Sequence, residues 1–349
     1  MGISDIKRKD FFHLFVLFLI TISFSCSVSH SPADLDGKLE NFFQKDAITI
    51  AVTDSGLGGL SIAAEAAERF SRAKVFESID LLFFNALFST EGGYNSLKTR
   101  EEKILVFNSA LRSLEENYHP DLIIIGCNTL SALYEDTAFS KKTTIPVVGI
   151  IDSGVALIEQ SLKASPESKV IIFGTQTTIE EATYQKGLAA RGIRPERVIT
   201  QACPELESFI ERGWASEETE MLISAYVDEA LQKVKDHKES IQVSLNCTHY
   251  GYALESWKEA FASYGIKPLS FLNPNTKMID FLFQIEKRNR FQGADMTVSV
   301  VSMVEISPER IASIGSWLEK VSLKTAEALG AYELKPDLFE WKKFVAGRD

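Results

Sequence analysis

The sequence has few cysteines and no basic stripe, and each scarcity excludes a class of protein. Four cysteines in 349 residues are too few for a disulfide scaffold. Acidic residues outnumber basic ones by 48 to 37, for a formal net charge of -11. Because no cluster of lysine and arginine could follow a phosphate backbone, we expect no nucleic acid as partner. A small molecule is the expected ligand.

The N-terminal segment is too short for a membrane span but has the order of an export signal. A basic cluster at residues 7–9 precedes an apolar run over 11–22, and small residues follow up to Cys26. A helix needs about 20 apolar residues to cross a bilayer, whereas a shorter run after basic residues is typical of a signal sequence. The segment resembles a bacterial lipoprotein signal, in which Cys26 would carry the lipid.

One position departs from that pattern, because Ser23 stands where the usual lipoprotein signal has leucine. We nevertheless expect residues 1–25 to be a signal or anchor segment. The mature protein would then be exported and lipid-anchored to a bacterial membrane, on its periplasmic side or at the cell surface. A plain cleaved signal and an uncleaved anchor in the inner membrane are the two alternatives.

Short apolar segments alternate with helical stretches along the rest of the chain. The segments that predict buried strands are AITIAVTD, DLLFFN, DLIIIGCNT, IPVVGIID, KVIIFGTQT, IQVSLNCTH and IKPLSFLN. Such alternation is typical of parallel sheets with helices on both faces, so we expect an α/β fold with doubly wound sheets. Ligands of such sheets bind beyond the carboxyl ends of the strands, where the polar motifs of this chain lie.

Two of these strands end in a similar way. IIIGCNTLSAL and VSLNCTHYGYAL each run from a strand through a cysteine and small polar residues into the start of a helix. Their cysteines, Cys127 and Cys247, are 120 positions apart. Two similar half-units could therefore face one another across a cleft, with one cysteine each.

Three chemistries could use cysteines in this setting. A zinc site would need three or four ligands at short spacing, and neither a CxxC motif nor a histidine pair at i, i+4 is present, so we expect no metal. A thiol nucleophile could pair Cys247 or Cys127 with His249, but the second cysteine would then have no role. Racemisation would use both.

Inverting a stereocentre beside a carboxylate without a cofactor requires two proton-carrying groups. One takes the Cα proton from one face while the other delivers a proton to the opposite face. A thiol suits this role because its reference pKa is about 8.5 and its thiolate accepts protons well. His249, two residues from Cys247, and Asp54, at the end of the first strand, could assist the thiols.

A structural role is also open for these assistants. His249 could be a hydrogen-bonded core histidine, and Asp54 with Ser55 could cap the helix that follows. The glycines of DSGLGGL match no nucleotide-binding motif. They would instead allow the backbone to approach a small anionic ligand closely.

Six motifs occur in the order found in glutamate racemases, within the aspartate/glutamate racemase superfamily, and the chain resembles that family. They are VTDSGLGGL, GCNTLSA, IPVVGIID, FGTQTTIEEATYQKGL, ACPELESFIERG and NCTHYGY. The resemblance runs from about Ile48 to about Asn273, and EISPERIASIGSWLEKVSL resembles the family's last helical segment more loosely.

This resemblance implies a cofactor-independent racemase with two similar α/β domains of mainly parallel sheets and the active site in the cleft between them. Cys127 and Cys247 would exchange the proton, assisted by Asp54, His249 and Glu211, the last of which is matched through its setting in ACPELESFIERG. The residues implied to bind the acidic amino-acid substrate are Asp54, Ser55, Tyr94, Asn95, Asn128, Thr129, Thr248 and His249. Cys203 would be a buried small residue without a catalytic role.

The loop after the second strand departs from the family. Tyr94 matches, but Asn95 replaces a glycine and extra residues precede the pair; Asn85 and Gly251 replace a usual aspartate and proline. Glutamate is the first expected substrate, with aspartate or a broader set of acidic amino acids as the alternative. An envelope-anchored binding protein without turnover is the alternative from another class.

The expected organisation follows the motifs. Residues 26–46 would be a linker, 47–146 together with 252–335 the first α/β domain, 147–251 the second, and 336–349 a tail. Family members often form homodimers, which makes a homodimer an expectation here. Family members also supply D-glutamate to cytoplasmic precursors of the peptidoglycan cell wall, so an exported racemase would act on a different pool of amino acids.

Overall fold

The computed structural model of the protein describes residues 32–234 and 240–345. The predicted signal or anchor over 1–25 and its lipidation site, Cys26, lie outside these residues. Within the two described ranges, no helix is both long enough and apolar enough to cross a membrane.

Two parallel sheets form the framework of the described chain. The strands are β1 Ala47–Asp54, β2 Ser78–Asn85, β3 Leu122–Ile125, β4 Val147–Gly149, β5 Lys169–Gly174, β6 Val198–Ala202, β7 Ile241–Asn246, β8 Phe271–Leu272, β9 Asp295–Ser302 and β10 Glu333–Leu334. The first sheet has the order β10-β9-β2-β1-β3-β4, and the second has the order β6-β5-β7-β8. The predicted α/β fold is confirmed.

Helices cover both sheets. The α-helices are α1 Pro32–Phe43, α2 Leu60–Ala73, α3 Arg100–Tyr118, α4 Asn128–Leu133, α5 Ile150–Ala164, α6 Gln176–Glu180, α7 Thr183–Ala190, α8 Leu206–Arg212, α9 Glu217–Leu231, α10 Leu254–Ser263, α11 Pro274–Lys277, α12 Pro308–Leu318 and α13 Leu323–Gly330. Short 3-10 helices join them, and those at Gly93–Ser96 and Thr248–Gly251 lie beside the cavity described below.

The central strands are mainly apolar and almost continuously buried because helices pack on both of their faces. Every residue of β3 is buried, and β1 is buried along its last five positions, ending in Thr53 and Asp54. Parallel sheets that are covered on both sides have this pattern. The apolar run therefore ends where the strand reaches the edge of the sheet, and the next side chains are free to face a ligand.

The sheets divide the chain differently from the predicted domain ranges at two strands. β4 lies within 147–251 but pairs with β3 in the first sheet. β8 lies within 252–335 but pairs with β7 in the second sheet. The reason is that α10 follows β7 and packs its Trp257 against Phe173 of the second sheet, 4.6 Å between ring centres. The polypeptide thus leaves the second sheet about twenty residues later than its motifs suggested.

The two terminal segments are more ordered than predicted. The proposed linker over 26–46 contains α1, whose Phe42 and Phe43 are buried in the core. In the proposed tail, Leu338 and Phe339 are also buried, and Phe339 stacks on Phe84 with ring centres 6.0 Å apart. Three strands, β6, β9 and β10, were not predicted, and the segment IKPLSFLN forms only the two-residue β8.

Candidate active site

A cavity of about 760 Å³ lies where the carboxyl ends of the two sheets meet. Residues that follow β1 and β3 line it from the first sheet, and residues that follow β5 and β7 line it from the second. All the site residues predicted from the sequence line this one cavity: Asp54, Ser55, Tyr94, Asn95, Cys127, Asn128, Thr129, Glu211, Cys247, Thr248 and His249.

Cys127 stands between β3 and α4, where it caps the helix. Its Sγ accepts the backbone N–H of Leu130 at 3.5 Å and lies 3.1 Å from Ser55 Oγ. Burial, and next the charge of Asp54, raise the pKa of the Cys127 thiol to about 12. The thiol is therefore protonated at neutral pH, with a hydroxyl and a carboxyl beside it.

Cys247 follows β7 and has an imidazole as its neighbour. Its Sγ lies 3.6 Å from His249 Nδ1. Burial raises the pKa of this thiol as well, and the charge of Glu207 adds to the rise. Both thiols have only 6% of their surface exposed, so each meets the cavity in a largely dry setting.

His249 is held by a buried carboxylate. Its Nε2 lies 2.8 Å from Glu211 Oε1, and Arg310 Nη1 lies 3.5 Å from the other oxygen of Glu211. Burial opposes a charged imidazole, but the hydrogen bond and the charge of Glu211 outweigh it and raise the pKa of His249. The same contact outweighs burial at Glu211 and lowers its pKa. When Nε2–H donates to Glu211, Nδ1 can accept a proton from Cys247.

Asp54 is the carboxylate of the first sheet. Its Oδ1 accepts the backbone N–H of Ser55 at 2.6 Å, and its Oδ2 accepts from Thr248 Oγ1 at 2.7 Å. Burial raises its pKa. The alternative role of Asp54 and Ser55 as a cap of the next helix does not apply, because α2 begins at Leu60 and has no side-chain cap. Five residues separate the strand end from the helix, so the carboxyl is left to face the cavity.

The glycines between β1 and α2 leave room for side chains of the site, because a Cβ at Gly56 or Gly58 would overlap them. A Cβ on Gly56 would lie 2.8 Å from Glu211 Oε1, and one on Gly58 would overlap Thr248 Oγ1 and the ring of His249. The sequence predicted that these glycines let the backbone approach an anionic ligand closely. At Gly58 the backbone instead lies close to the side chains of Thr248 and His249. Glycine here allows the loop of the first sheet to pack against the acid–base groups of the second.

Several polar groups in the cavity have no partner among the described residues. They include Asn128 Nδ2 and Tyr94 OH, both buried. The Oδ1 atom of Asn128 accepts from Tyr184 OH at 2.5 Å, which orients its amide. Buried polar groups without partners are rare and costly, so these two donors are available to a ligand.

Thr129 and Asn95 reach the second sheet. Thr129 Oγ1 lies 3.0 Å from Thr175 Oγ1, directly after β5. Asn95 donates through Nδ2 to Glu207 at 3.2 Å and accepts from Thr177 Oγ1 at 3.0 Å. The altered loop after the second strand is therefore tied to the far side of the cavity by side-chain hydrogen bonds.

Sequence reasoning missed several lining residues, among them Thr175, Glu207 and Arg310. A signal existed for two of these three, since Thr175 follows a predicted strand and Glu207 precedes Glu211 by one helical turn. Arg310 lies on α12, far along the chain, and no local pattern points to it. Cys203 is fully buried outside the cavity, as predicted.

The three cysteines of the described chain are all free thiols. Cys127 and Cys247 thus bring two separate thiols to one cavity from two different sheets. Among residues 32–234 and 240–345, no group of three or more His, Cys, Asp or Glu side chains is arranged to hold a metal ion. Proton transfer between a bound molecule and two thiols is the chemistry that this arrangement can perform.

Sequence comparison finds glutamate racemases among the relatives of this chain. The glutamate racemase of Hydrogenobaculum sp. (strain Y04AAS1) is 30% identical over 201 residues, which are 58% of this chain and 70% of that protein. The glutamate racemase of a Nitratiruptor species is 23% identical over 276 residues, 79% of this chain and 98% of that protein. The aligned region thus includes both cysteine motifs.

Solved structures share the fold. The glutamate racemase isoform RacE1 from Bacillus anthracis superposes with a TM-score of 0.62 at 20% identity, covering 84% of this chain and all of that one. The Francisella tularensis glutamate racemase in complex with D-glutamate gives a TM-score of 0.61 at 22% identity, over 83% and 98% of the two chains. A model of the Asp/Glu/Hydantoin racemase family matches residues 77–266, more than half of the length, and the chain belongs to that family.

Proposed function

We propose that this protein is a cofactor-independent glutamate racemase in which one of the thiols of Cys127 and Cys247 takes the Cα proton and the other supplies its own proton to the opposite face. The observation that carries the proposal is the pair of buried free thiols that reach one cavity from different sheets, each beside its own acid–base group. Glutamate is proposed because relatives that align over most of their own length are glutamate racemases. Retention of both thiols favours turnover over a binding role, since binding needs neither.

Substrate charge has to activate the thiols. With a pKa of about 12, ionising Cys127 at neutral pH costs about 7 kcal/mol when no cation lies beside it. Asp54 has no ion pair with lysine or arginine among the described residues and can take the substrate ammonium. A cation placed between Asp54 and Cys127 lowers the thiol pKa, because an opposite charge favours the ionised form. Binding thereby prepares the base.

The substrate carboxylate next to Cα has donors waiting for it. Asn128 Nδ2 is buried without a partner, and the hydroxyl groups of Thr129 and Thr248 line the same cavity. These donors stabilise the negative charge that develops on the carboxylate when the Cα proton leaves. Cys247 supplies its own proton from the other side and is left as a thiolate; when Cys247 is instead the base, His249 first takes the thiol proton through Nδ1. The reverse direction exchanges the two thiols' roles.

The experiment follows loss of the Cα proton in D₂O by NMR for both enantiomers of glutamate and of aspartate. We expect exchange with inversion of glutamate, lost in Cys127→Ala and in Cys247→Ala. Cys203→Ala removes a buried thiol outside the cavity and should retain exchange. A folded protein with free thiols that exchanges none of the four compounds would contradict the proposal; exchange of aspartate alone would change the substrate.

We also propose that the protein is exported and anchored to a bacterial membrane by a lipid on Cys26. The support is the sequence alone: basic residues at 7–9, an apolar run over 11–22 and small residues before Cys26. Mass spectrometry of the mature N-terminus should show a lipidated Cys26. An unmodified cysteine, or an intact Met1, would contradict this. The homodimer stays a prediction.

A further inference from the structure

Glu207 is a second carboxyl group in the cavity that the proposed chemistry does not use. It lies on α8 one turn before Glu211. Its Oε1 accepts from Asn95 Nδ2 at 3.2 Å, while its Oε2 is buried and has no partner among the described residues. Leaving a buried acceptor unpaired is costly, so this oxygen marks a place where a ligand group belongs.

No lysine or arginine of the described residues forms an ion pair with Glu207. Arg310 pairs with Glu211, and the guanidinium of Arg212 lies over an aromatic ring of its own helix, 4.5 Å from the ring centre. An amino acid brings one ammonium group, and Asp54 takes it in the proposed function. Glu207 therefore needs either a proton or a donor on the substrate's side chain.

We propose that Glu207 recognises the side chain of the substrate as a neutral carboxylic acid, donating a hydrogen bond from Oε2 to the distal carboxylate. The inference rests on the proposed function, with glutamate as the substrate. One proton from solvent joins Glu207 on binding, because two ionised carboxylates in contact inside a cavity repel and hold one proton between them. The new O–H gives Oε2 its partner, and Asn95 keeps the other oxygen occupied.

The surroundings favour this proton. Burial raises the pKa of Glu207, and the charge of Glu211 adds to the rise, while a hydrogen bond from its own backbone N–H, the charge of His249 and the hydrogen bond from Asn95 act against it. A neutral acid also explains how an acidic substrate can enter a cavity that already contains several carboxyl groups. The ionisable groups that line the same cavity are Asp54, Tyr94, Cys127, Glu205, Glu211, Arg212, Cys247, His249 and Arg310.

The test compares the pH dependence of KM for glutamate between variants. In the wild type, KM should rise about tenfold per pH unit above the pKa of Glu207, because the ionised form must regain its proton. Glu207→Gln offers an amide N–H that does not titrate, so its KM should stay flat over the same interval. Glu220→Gln removes the same charge from an exposed side chain on α9, outside the cavity, and should keep the wild-type slope.

A second experiment removes the hydrogen-bond donor of residue 207. Glu207→Leu should raise KM for glutamate by about ten- to a hundredfold in the acidic range, the loss expected for a hydrogen bond to a charged group. Its effect on kcat should be smaller, since Glu207 acts on the side chain and not on the Cα proton. Equal slopes of KM against pH in the wild type and Glu207→Gln would overturn the inference. So would a wild-type preference for glutamine or lysine over glutamate at every pH.

Calorimetry separates this inference from the proposed reaction. Glutamate is bound to the double variant Cys127→Ala, Cys247→Ala in two buffers of different ionisation enthalpy, which reports the protons taken up. We expect net proton uptake with Glu207 present and none when Glu207→Gln is added. Equal uptake in both would refute the role of Glu207. Glutamate binding with proton uptake, but no Cα exchange in the wild type, would refute the racemisation alone, and no binding would refute both.

Discussion

The two thiols of the cavity have different neighbours. Cys127 follows β3 and faces the hydroxyl of Ser55 and the carboxyl of Asp54, whereas Cys247 follows β7 and faces an imidazole that Glu211 holds. Burial raises the pKa of both thiols. The site is therefore symmetric in its proton carriers and asymmetric in their assistants. The two proton transfers, one at each face of Cα, should therefore depend on different residues.

Removing one assistant from each half should have the largest effect. His249→Gln impairs the Cys247 half and Asp54→Asn the Cys127 half, and each should lower kcat/KM by about 10²- to 10⁴-fold. The two enantiomers have equal free energies in water, so kcat/KM must fall equally in both directions. The asymmetry should instead appear in the kinetic isotope effect, which is the ratio of the racemisation rates of Cα-protonated and Cα-deuterated substrate. Circular dichroism measures these rates for each enantiomer.

In each variant, breaking the Cα–H bond becomes limiting when the impaired thiol is the base. The isotope effect should then rise for one enantiomer and fall for the other, and the two variants should show opposite assignments. Equal isotope effects for both enantiomers in both variants would mean that the assistants do not belong to separate halves.

The ion pair between His249 and Glu211, beside Cys247, should make the free energy of unfolding depend on pH. The pKa of His249 is raised, so its contribution is complete below about pH 6.5 and is lost as pH rises through the folded pKa. The pKa of Glu211 is lowered, so its contribution is complete above about pH 4.3 and is lost as pH falls through the folded pKa. Both are present between these values.

Glu211→Gln should therefore reduce the free energy of unfolding most between about pH 4.3 and 6.5. The expected loss is about 3 to 5 kcal/mol, because removing one partner leaves a buried charge uncompensated. Urea unfolding at several pH values measures it, and the loss should shrink above this interval. Glu259→Gln, exposed on α10, is the control and should leave the profile unchanged. A pH-independent loss in Glu211→Gln would show that packing, not charge, is involved.

The contact between the loop after β1 and His249 of the other half is tested by adding a single methyl group. Gly58→Ala would place a methyl group against Thr248 and His249, and overpacking of this kind costs about 1 to 3 kcal/mol. We expect kcat to fall about ten- to a hundredfold from displacement of His249. Gly315→Ala on α12 meets nothing within 4 Å and should retain kcat. Unchanged kcat in Gly58→Ala would mean that the loop does not fix the imidazole.

Much of the fold and of the site could be predicted because the apolar runs end abruptly. Cys127, Cys247 and His249 stand directly after buried strands, and a parallel sheet brings such positions to one edge. β9 was missed because its exposed side chains alternate with apolar ones, so DMTVSVVS lacks the continuous run of a central strand. α1 was missed because only its last turn carries the buried aromatic pair.

Contacts between distant segments were beyond the sequence. Arg310 meets Glu211 across about a hundred residues, and that meeting depends on how α12 packs against α8. The contact of Gly58 with Thr248 and His249 likewise depends on how the two sheets pack together, which the turn around Gly58 does not determine. The sequence does not distinguish Glu207 from an ordinary exposed glutamate of a helix. Only the three-dimensional structure shows that its Oε2 is buried and lacks a partner among the described residues.

The central claim is that two different thiols serve the two faces of Cα, and deuterium partitioning tests it most directly. Protonated L-glutamate is incubated with the wild-type protein in D₂O, and both enantiomers are isolated at low conversion. Two single-proton carriers predict deuterium in the D-glutamate formed and almost none in the L-glutamate recovered, with the mirror result from D-glutamate. Deuterium in both enantiomers from the earliest times would mean that one base serves both faces, and would contradict the account.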